Sequence, residues 1–226
     1  MKYLIILLLF LIVTNQSISK EIIIPENNVI KFDIIRKNKN IGYHIIDFNK
    51  ENDILNVNIE VNINVKIGFL SIYKYSHQNH EQWKDGKLYK IKTNTFTNSK
   101  KEYFVNGIQI KNSFECYGVD DKIIVESDII PISYWNKEIT NRKIFLDSQK
   151  GILREFNIDI LGEEEIIFKN NKINTEKYEL MVITKHITDE KPFPILYLWY
   201  TKDGELMKLK FDSPEDNSII EYNRIQ

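Results

Sequence analysis

Between Ile54 and Ile67 the chain alternates without a break. Leu55, Val57, Ile59, Val61, Ile63, Val65 and Ile67 fall on one parity; Asn56, Asn58, Glu60, Asn62, Asn64 and Lys66 fall on the other. Successive side chains of an extended chain point to opposite faces, so this stretch predicts a strand with one face buried and one wet. At roughly 3.3 Å per residue it spans about 45 Å, more than a flat sheet in a small domain needs. The strand is therefore expected to belong to a sheet that curves around its own core.

The same grammar runs to the C-terminus. Ile30–Arg36 and Ile41–Phe48 flank a turn at Asn38–Asn40, and Lys87–Phe96 follows Asp85-Gly86. Ile108–Lys111 follows Asn106-Gly107, and Ile152–Ile160 follows Gly151. Tyr178–Ile183 and Ile195–Tyr200 lead to Asp203-Gly204, after which Leu206–Phe211 and Ile219–Tyr222 close the chain. Asp-Gly and Asn-Gly between β-rich runs mark hairpins, because both turn positions need positive φ. Consecutive hairpins make a meander. The expected fold is mainly all-β: one strongly curved antiparallel sheet or open half-barrel, with at most one or two short helices. Only Ile132–Asn141 departs from the pattern, reading as a short helix that opens near Ser133. The acidic run Glu163–Glu165 reads as a solvated loop. No Pro/Gly/Ser-rich linker divides residues 20–226, which read as one domain.

Residues 1–19 read as a signal peptide. Lys2 supplies a positive start, Tyr3 to Val13 is an unbroken apolar run, and Ser17-Ile18-Ser19 places small residues before a cut ahead of Lys20. The apolar run is shorter than the roughly 20 residues that cross a bilayer as a helix. The expected localisation is periplasmic or secreted, and with no cysteine near the cut no lipid anchor is expected. The formal charge of −1, from 31 basic and 32 acidic residues, gives no electrostatic reason to expect nucleic acid. Cys116, the single cysteine, cannot form an internal disulfide and reads as a small buried hydrophobe.

Four stretches carry a family resemblance: Lys39-Asn40-Ile41-Gly42-Tyr43-His44; His77 with Glu81-Gln82-Trp83-Lys84-Asp85-Gly86-Lys87-Leu88; Ser133-Tyr134-Trp135-Asn136; and Leu198-Trp199-Tyr200 with Asp203-Gly204-Glu205-Leu206. In order and spacing they resemble DUF6134, a family of exported bacterial proteins of unknown function, similar to the DUF3108 proteins. The resemblance implies an exported β-rich domain with a strongly curved sheet like that of lipoprotein carriers. It implies no catalytic residue.

Carried through Gly68, the buried parity of the long strand continues as Phe69, Tyr73, Tyr75, His77, Glu81 and Trp83. That face passes from aliphatic to aromatic to ionisable, the composition of a pocket with an apolar floor and a polar mouth. Tyr73, Tyr75, His77, Glu81 and Trp83 are the candidate ligand-binding residues. The competing reading has His77 and Glu81 bonded to each other or to the backbone at the sheet's rim. Trp135, in the non-strand segment, is placed either as a stacking platform or as a plug for the open end of the sheet. His77 and His80 are three apart, which sets them on opposite faces of a strand, so no metal site is expected. No phosphate loop or nucleophile elbow occurs, and no cofactor is expected.

Three functions are weighed. The first is a non-enzymatic binder of a lipid, another apolar or amphipathic ligand, or an envelope partner, in the hollow of the sheet. The second is a small-molecule hydrolase using His77 and Glu81 as base and acid. The third is an interaction module whose exposed edge strand pairs with a partner protein.

Overall fold

The computed structural model describes residues 22–98 and 101–226. The expected signal segment lies outside the described residues. Strands β1 (Val29–Arg36), β2 (Lys39–Glu51), β3 (Ile54–Ile67), β4 (Leu70–Lys84), β5 (Lys87–Thr97), β6 (Glu102–Ile110), β7 (Ser113–Gly118) and β8 (Asp121–Glu126) form one antiparallel meander. β9 (Ile144–Leu146), β10 (Leu153–Phe168), β11 (Asn171–Val182), β12 (Leu196–Thr201), β13 (Leu206–Asp212) and β14 (Ile219–Arg224) form a second. β14 pairs with β1, from Phe32 opposite Arg224 to Arg36 opposite Ile220, so the two meanders merge into one 14-stranded sheet. Its end strands, β8 and β9, do not pair with each other, and the sheet is not closed into a barrel.

The alternation of β3 holds in space: Leu55, Val57, Ile59, Val61 and Val65 are buried on the concave face. The run does not continue through Gly68, however. Gly68 adopts φ +59° and the chain folds back, so β4 lies antiparallel beside β3 rather than beyond it. Phe69, expected on the buried face, sits at the tip of this hairpin and is fully exposed. From Tyr73 to Trp83 the parity survives, because antiparallel pairing sets odd residues opposite odd ones: Val65 faces Tyr73, Val61 faces His77, Val57 faces Glu81. A bulge between Val65 and Lys66 absorbs the turn. The expected gradient along one path is thus an aliphatic strand lying next to an aromatic and polar one.

Three other expectations are corrected. Asn106-Gly107 is no turn but the middle of β6, and Gly107 serves packing: a Cβ there would lie 2.4 Å from the Phe114 ring. Glu163–Glu165 is exposed but belongs to β10, paired with β11. The helix begins later than Ser133, as a five-residue 3-10 turn, Lys137–Asn141. Tyr134 at φ +65° breaks helical geometry before it, and the Asn136 side chain accepts the Glu138 N–H at 3.0 Å as its cap.

The core fills the concave side. Ile30, Phe32, Ile34, Ile46 and Phe48 from the first strands meet Leu180, Leu198, Tyr200, Leu209 and Tyr222 from the last. The 127–143 segment closes one end, burying Ile129, Ile130, Ile132, Trp135 and Ile139. Near the other end the gap between β8 and β9 is crossed by Val119 N–H donating to Lys150 O at 2.9 Å. Beside that crossing, Arg154 is 2 % exposed. It donates to Asp147 at 3.0 Å and, through two nitrogens, to Asp189 at 2.5 and 2.7 Å. Lys150 adds a 2.8 Å bond to Asp189. These charges neutralise one another, which is what makes their burial tolerable.

Candidate functional site

The candidate residues separate into two groups. Glu81, Trp83 and Trp135 meet at the end closed by the 127–143 segment. Glu81 is fully buried on β4, with Asn79 and Trp83 two positions away on the same face. Its Oε1 accepts Asn79 Nδ2 at 2.8 Å; its Oε2 accepts Trp83 Nε1 at 2.9 Å and Trp135 Nε1 at 3.0 Å. Burial pushes the Glu81 carboxyl up, while the bonds from Trp83, Trp135, Asn79 and Ser133 pull the other way. The indoles of Trp83 and Trp135 cross edge to face with centroids 5.3 Å apart, and Phe48 crosses Trp135 at the same distance. A carboxylate thus ties a loop residue to a strand 54 positions earlier.

The loop is held from the other side as well. Tyr200 on β12, fully buried, donates to the Tyr134 carbonyl at 2.5 Å. Lys137 donates to Thr201 O at 3.2 Å and to Glu176 at 2.7 Å. Tyr134's left-handed backbone is costly for a bulky residue and persists because these contacts over-determine it. Above the anchored loop lies an open groove of about 730 Å3. Trp135, Tyr178 and Ile130 line it, and its rim is made by the two Asp-Gly turns, Asp85-Gly86 and Asp203-Gly204.

Tyr73, Tyr75 and His77 lie elsewhere, toward the opposite end of β4. His77 is 7 % exposed and shares a 2.7 Å hydrogen bond with Thr95, not with Glu81; its ring stacks on Tyr75. Tyr75 and Tyr73 are half-buried, and the Tyr75 hydroxyl reaches Gln149 at 3.5 Å. Burial lowers the His77 pKa to about 4. With Glu81 sealed in the core and His77 bonded to Thr95, the two do not form the acid–base pair that hydrolysis would use. His80 points to the outer face and bonds Asn58, so the two histidines are apart, as their spacing requires.

One member of this interior was absent from the expectation. His44 on β2 is 3 % exposed between the rings of Phe32 and Tyr222, each centroid 5.7 Å away. Neither ring nitrogen has a hydrogen-bond partner, and the Asn79 Oδ1 also lacks one. Burial, and then the neighbouring His77, lower the His44 pKa to about 3, so the ring is neutral. Its signal in the sequence is parity, as His44 alternates with Ile46 and Phe48 on the inward face of β2, and it closes the first of the four motif stretches.

Among the described residues no group of three His, Cys, Asp or Glu side chains is placed to hold a metal ion, and no helix is long and apolar enough to cross a membrane. Cys116 is buried on β7, where burial pushes its thiol up to about 12.

No curated protein matches the chain. Among solved structures it is similar to a β-barrel-like protein of the domain of unknown function DUF1849 from Brucella abortus, with a TM-score of 0.60 and 8% identity. The match covers 88% of this chain and 95% of that one, and at this identity it shows the fold alone. The sequence profile of a domain of unknown function, DUF6134, matches residues 32–225, almost all of the described sheet, and the chain belongs to that family.

Proposed function

We propose that this protein is exported and non-enzymatic, and that it binds an amphipathic ligand of the envelope in the rim groove over Trp135. The observation that carries the reading is convergence. Three of the four motif stretches, those around Trp83, Trp135 and Trp199-Tyr200, are far apart in sequence. They meet at this groove and are joined beneath it through Glu81, Tyr200 and Lys137. An apolar lining of Trp135, Tyr178 and Ile130 under a rim of both charges, Lys87 and Lys202 with Asp85 and Asp203, suits a molecule with an apolar body and a zwitterionic head. Export rests on the Lys2, Tyr3–Val13 and Ser17–Ser19 pattern. N-terminal sequencing of the periplasmic fraction is expected to begin at Lys20.

The groove is tested in two ways. Mass spectrometry of lipid extracted from the natively purified protein is expected to recover a recurring amphiphile. Lysophosphatidylcholine is expected to change the tryptophan fluorescence, with the response reduced by Lys202→Glu. No recovered ligand and an unchanged emission spectrum would overturn the reading.

A further inference from the structure

The sheet's two ends are not equivalent. β9 is met on its outer side by the chain itself: Leu146 N–H donates to Ile130 O at 2.9 Å, and Ile132 N–H donates to Leu146 O at 2.8 Å. β8 pairs only with β7, and among the described residues no strand pairs with its outer edge. Contacts tie the chain on both sides of β8 to the opposite wall. Val119, just before it, bonds Lys150, and Asp128, just after it, forms an ion pair with Arg142 at 2.5 Å. Beside the Asp128–Arg142 pair lies an open groove of about 710 Å3, with Ile124, Val125 and Glu126 on one wall and Lys143, Ile144 and Leu153 on the other.

The rims of this groove set exposed isoleucines beside charged residues, Glu126 on one wall and Lys143 on the other. Ile124 is 62 % exposed and Ile144 52 %. β8 carries no proline, and its Lys122 is turned back onto Glu115 of β7 at 2.6 Å instead of guarding the edge. On the outer face Ile108, Glu115 and Ile124 form a cross-strand row over β6, β7 and β8 that stops at the gap.

We propose that the free edge of β8 is a strand-addition site for an extended peptide of a partner protein, carrying a basic residue opposite Glu126 and an apolar one opposite Ile124. Only an extended backbone offers N–H and C=O groups in the register that an unpaired strand edge needs. Six residues of β8 match a peptide about 20 Å long. The side-chain choice follows from cross-strand neighbours: a cation faces the exposed Glu126, an aliphatic side chain continues the row at Ile124, and Lys122 is already served by Glu115. This site is separate from the rim groove over Trp135, and neither reading depends on the other.

The probe is a fluorescein-labelled pentapeptide, acetyl-Lys-Thr-Ile-Thr-Thr-amide, titrated by anisotropy into the full mature chain. An antiparallel fit sets its lysine opposite Glu126 and its isoleucine opposite Ile124. Binding is expected to slow amide exchange at the alternate β8 residues whose N–H groups face the open edge rather than β7. Glu126→Lys is expected to weaken it ~5-fold, the upper range of one cross-strand pair. Ile124→Lys, which removes the apolar contact and sets like charges together, is expected to weaken it by about 10-fold or more. Both positions are exposed, and an unchanged unfolding midpoint checks that the variants fold. Binding that both variants leave intact, or unaltered β8 exchange, would overturn the proposal. So would a β8-protected dimer of the chain without peptide, since the occupant would then be a second copy.

Discussion

Glu81 and His44 are both inward-facing ionisable residues on neighbouring parts of one sheet, and the chain treats them in opposite ways. Glu81 has both carboxyl oxygens engaged, by an amide and two indoles drawn from a strand and a distant loop. His44 is buried as deeply with neither nitrogen engaged. The first is a joint that holds the 127–143 segment in place. The second is a local cost that the surrounding aromatic packing carries. Burial alone therefore says nothing about what a polar residue does in this protein; the partner list does.

The comparison can be broken most severely at the joint. Glu81→Leu leaves the Asn79, Trp83 and Trp135 donors facing an apolar side chain and is expected to cost about 3–5 kcal/mol, read as a fall in the urea midpoint. Glu81→Gln, which keeps one good acceptor, should lose less than half of that. Equal losses would mean that the site needs charge rather than an acceptor.

Arg154 obeys the same rule with ions. Arg154→Met strands the Asp147 carboxylate and half of the Asp189 pairing in the core, at a cost of about 3 kcal/mol. Burial works against the Asp189 carboxylate, but Arg154 and Lys150 outweigh it and hold its pKa well below the ordinary value. A depressed carboxylate pKa stabilises the fold above the ordinary carboxylate range, and that contribution is lost as pH falls beneath it. The wild type should therefore lose stability more steeply below about pH 4 than Arg154→Met does, in paired acid titrations followed by circular dichroism.

The two buried histidines are expected to show themselves at milder acidity. His44 and His77 have folded values near 3 and 4, below the unfolded value of 6.5. The unfolded chain thus takes up protons that the folded one refuses. Stability is full above about pH 6.5 and falls as pH drops toward those folded values, by about 2 kcal/mol per histidine at pH 5. His44→Phe should remove one of these two contributions. At neutral pH it should also stabilise the protein by about 1–2 kcal/mol, because an apolar ring has no nitrogen to leave unbonded between Phe32 and Tyr222. A destabilised His44→Phe protein would show instead that something unseen, a water or a guest, bonds the imidazole.

Much of this was readable from the chain. Parity along β3 and from Tyr73 to Trp83 told which side chains face inward, and the Asp85-Gly86 turn is where the dipeptide said it would be. The errors have a common cause. Gly68 and Gly107 are both glycines in β-rich runs, yet one is a turn and the other makes room for the Phe114 ring. Local chemistry is the same in both, and only the neighbour distinguishes them. The division of the candidate site has the same origin. His77 and Glu81 share a face of β4 and read as partners, but each bonds elsewhere, to Thr95 and to the tryptophans.

What the sequence determined by itself is the alternation, and with it an all-β chain whose inward residues could be named before any strand was paired. That follows from the two-residue period of an extended backbone, which is a local property. Which strands lie at the ends, that Trp135 reaches Glu81, and that β8 is left with one free side were decided by tertiary structure. They depend on how far the sheet curls and how near its unpaired ends come, and that is set by the summed twist of fourteen strands and by what fills the space between them.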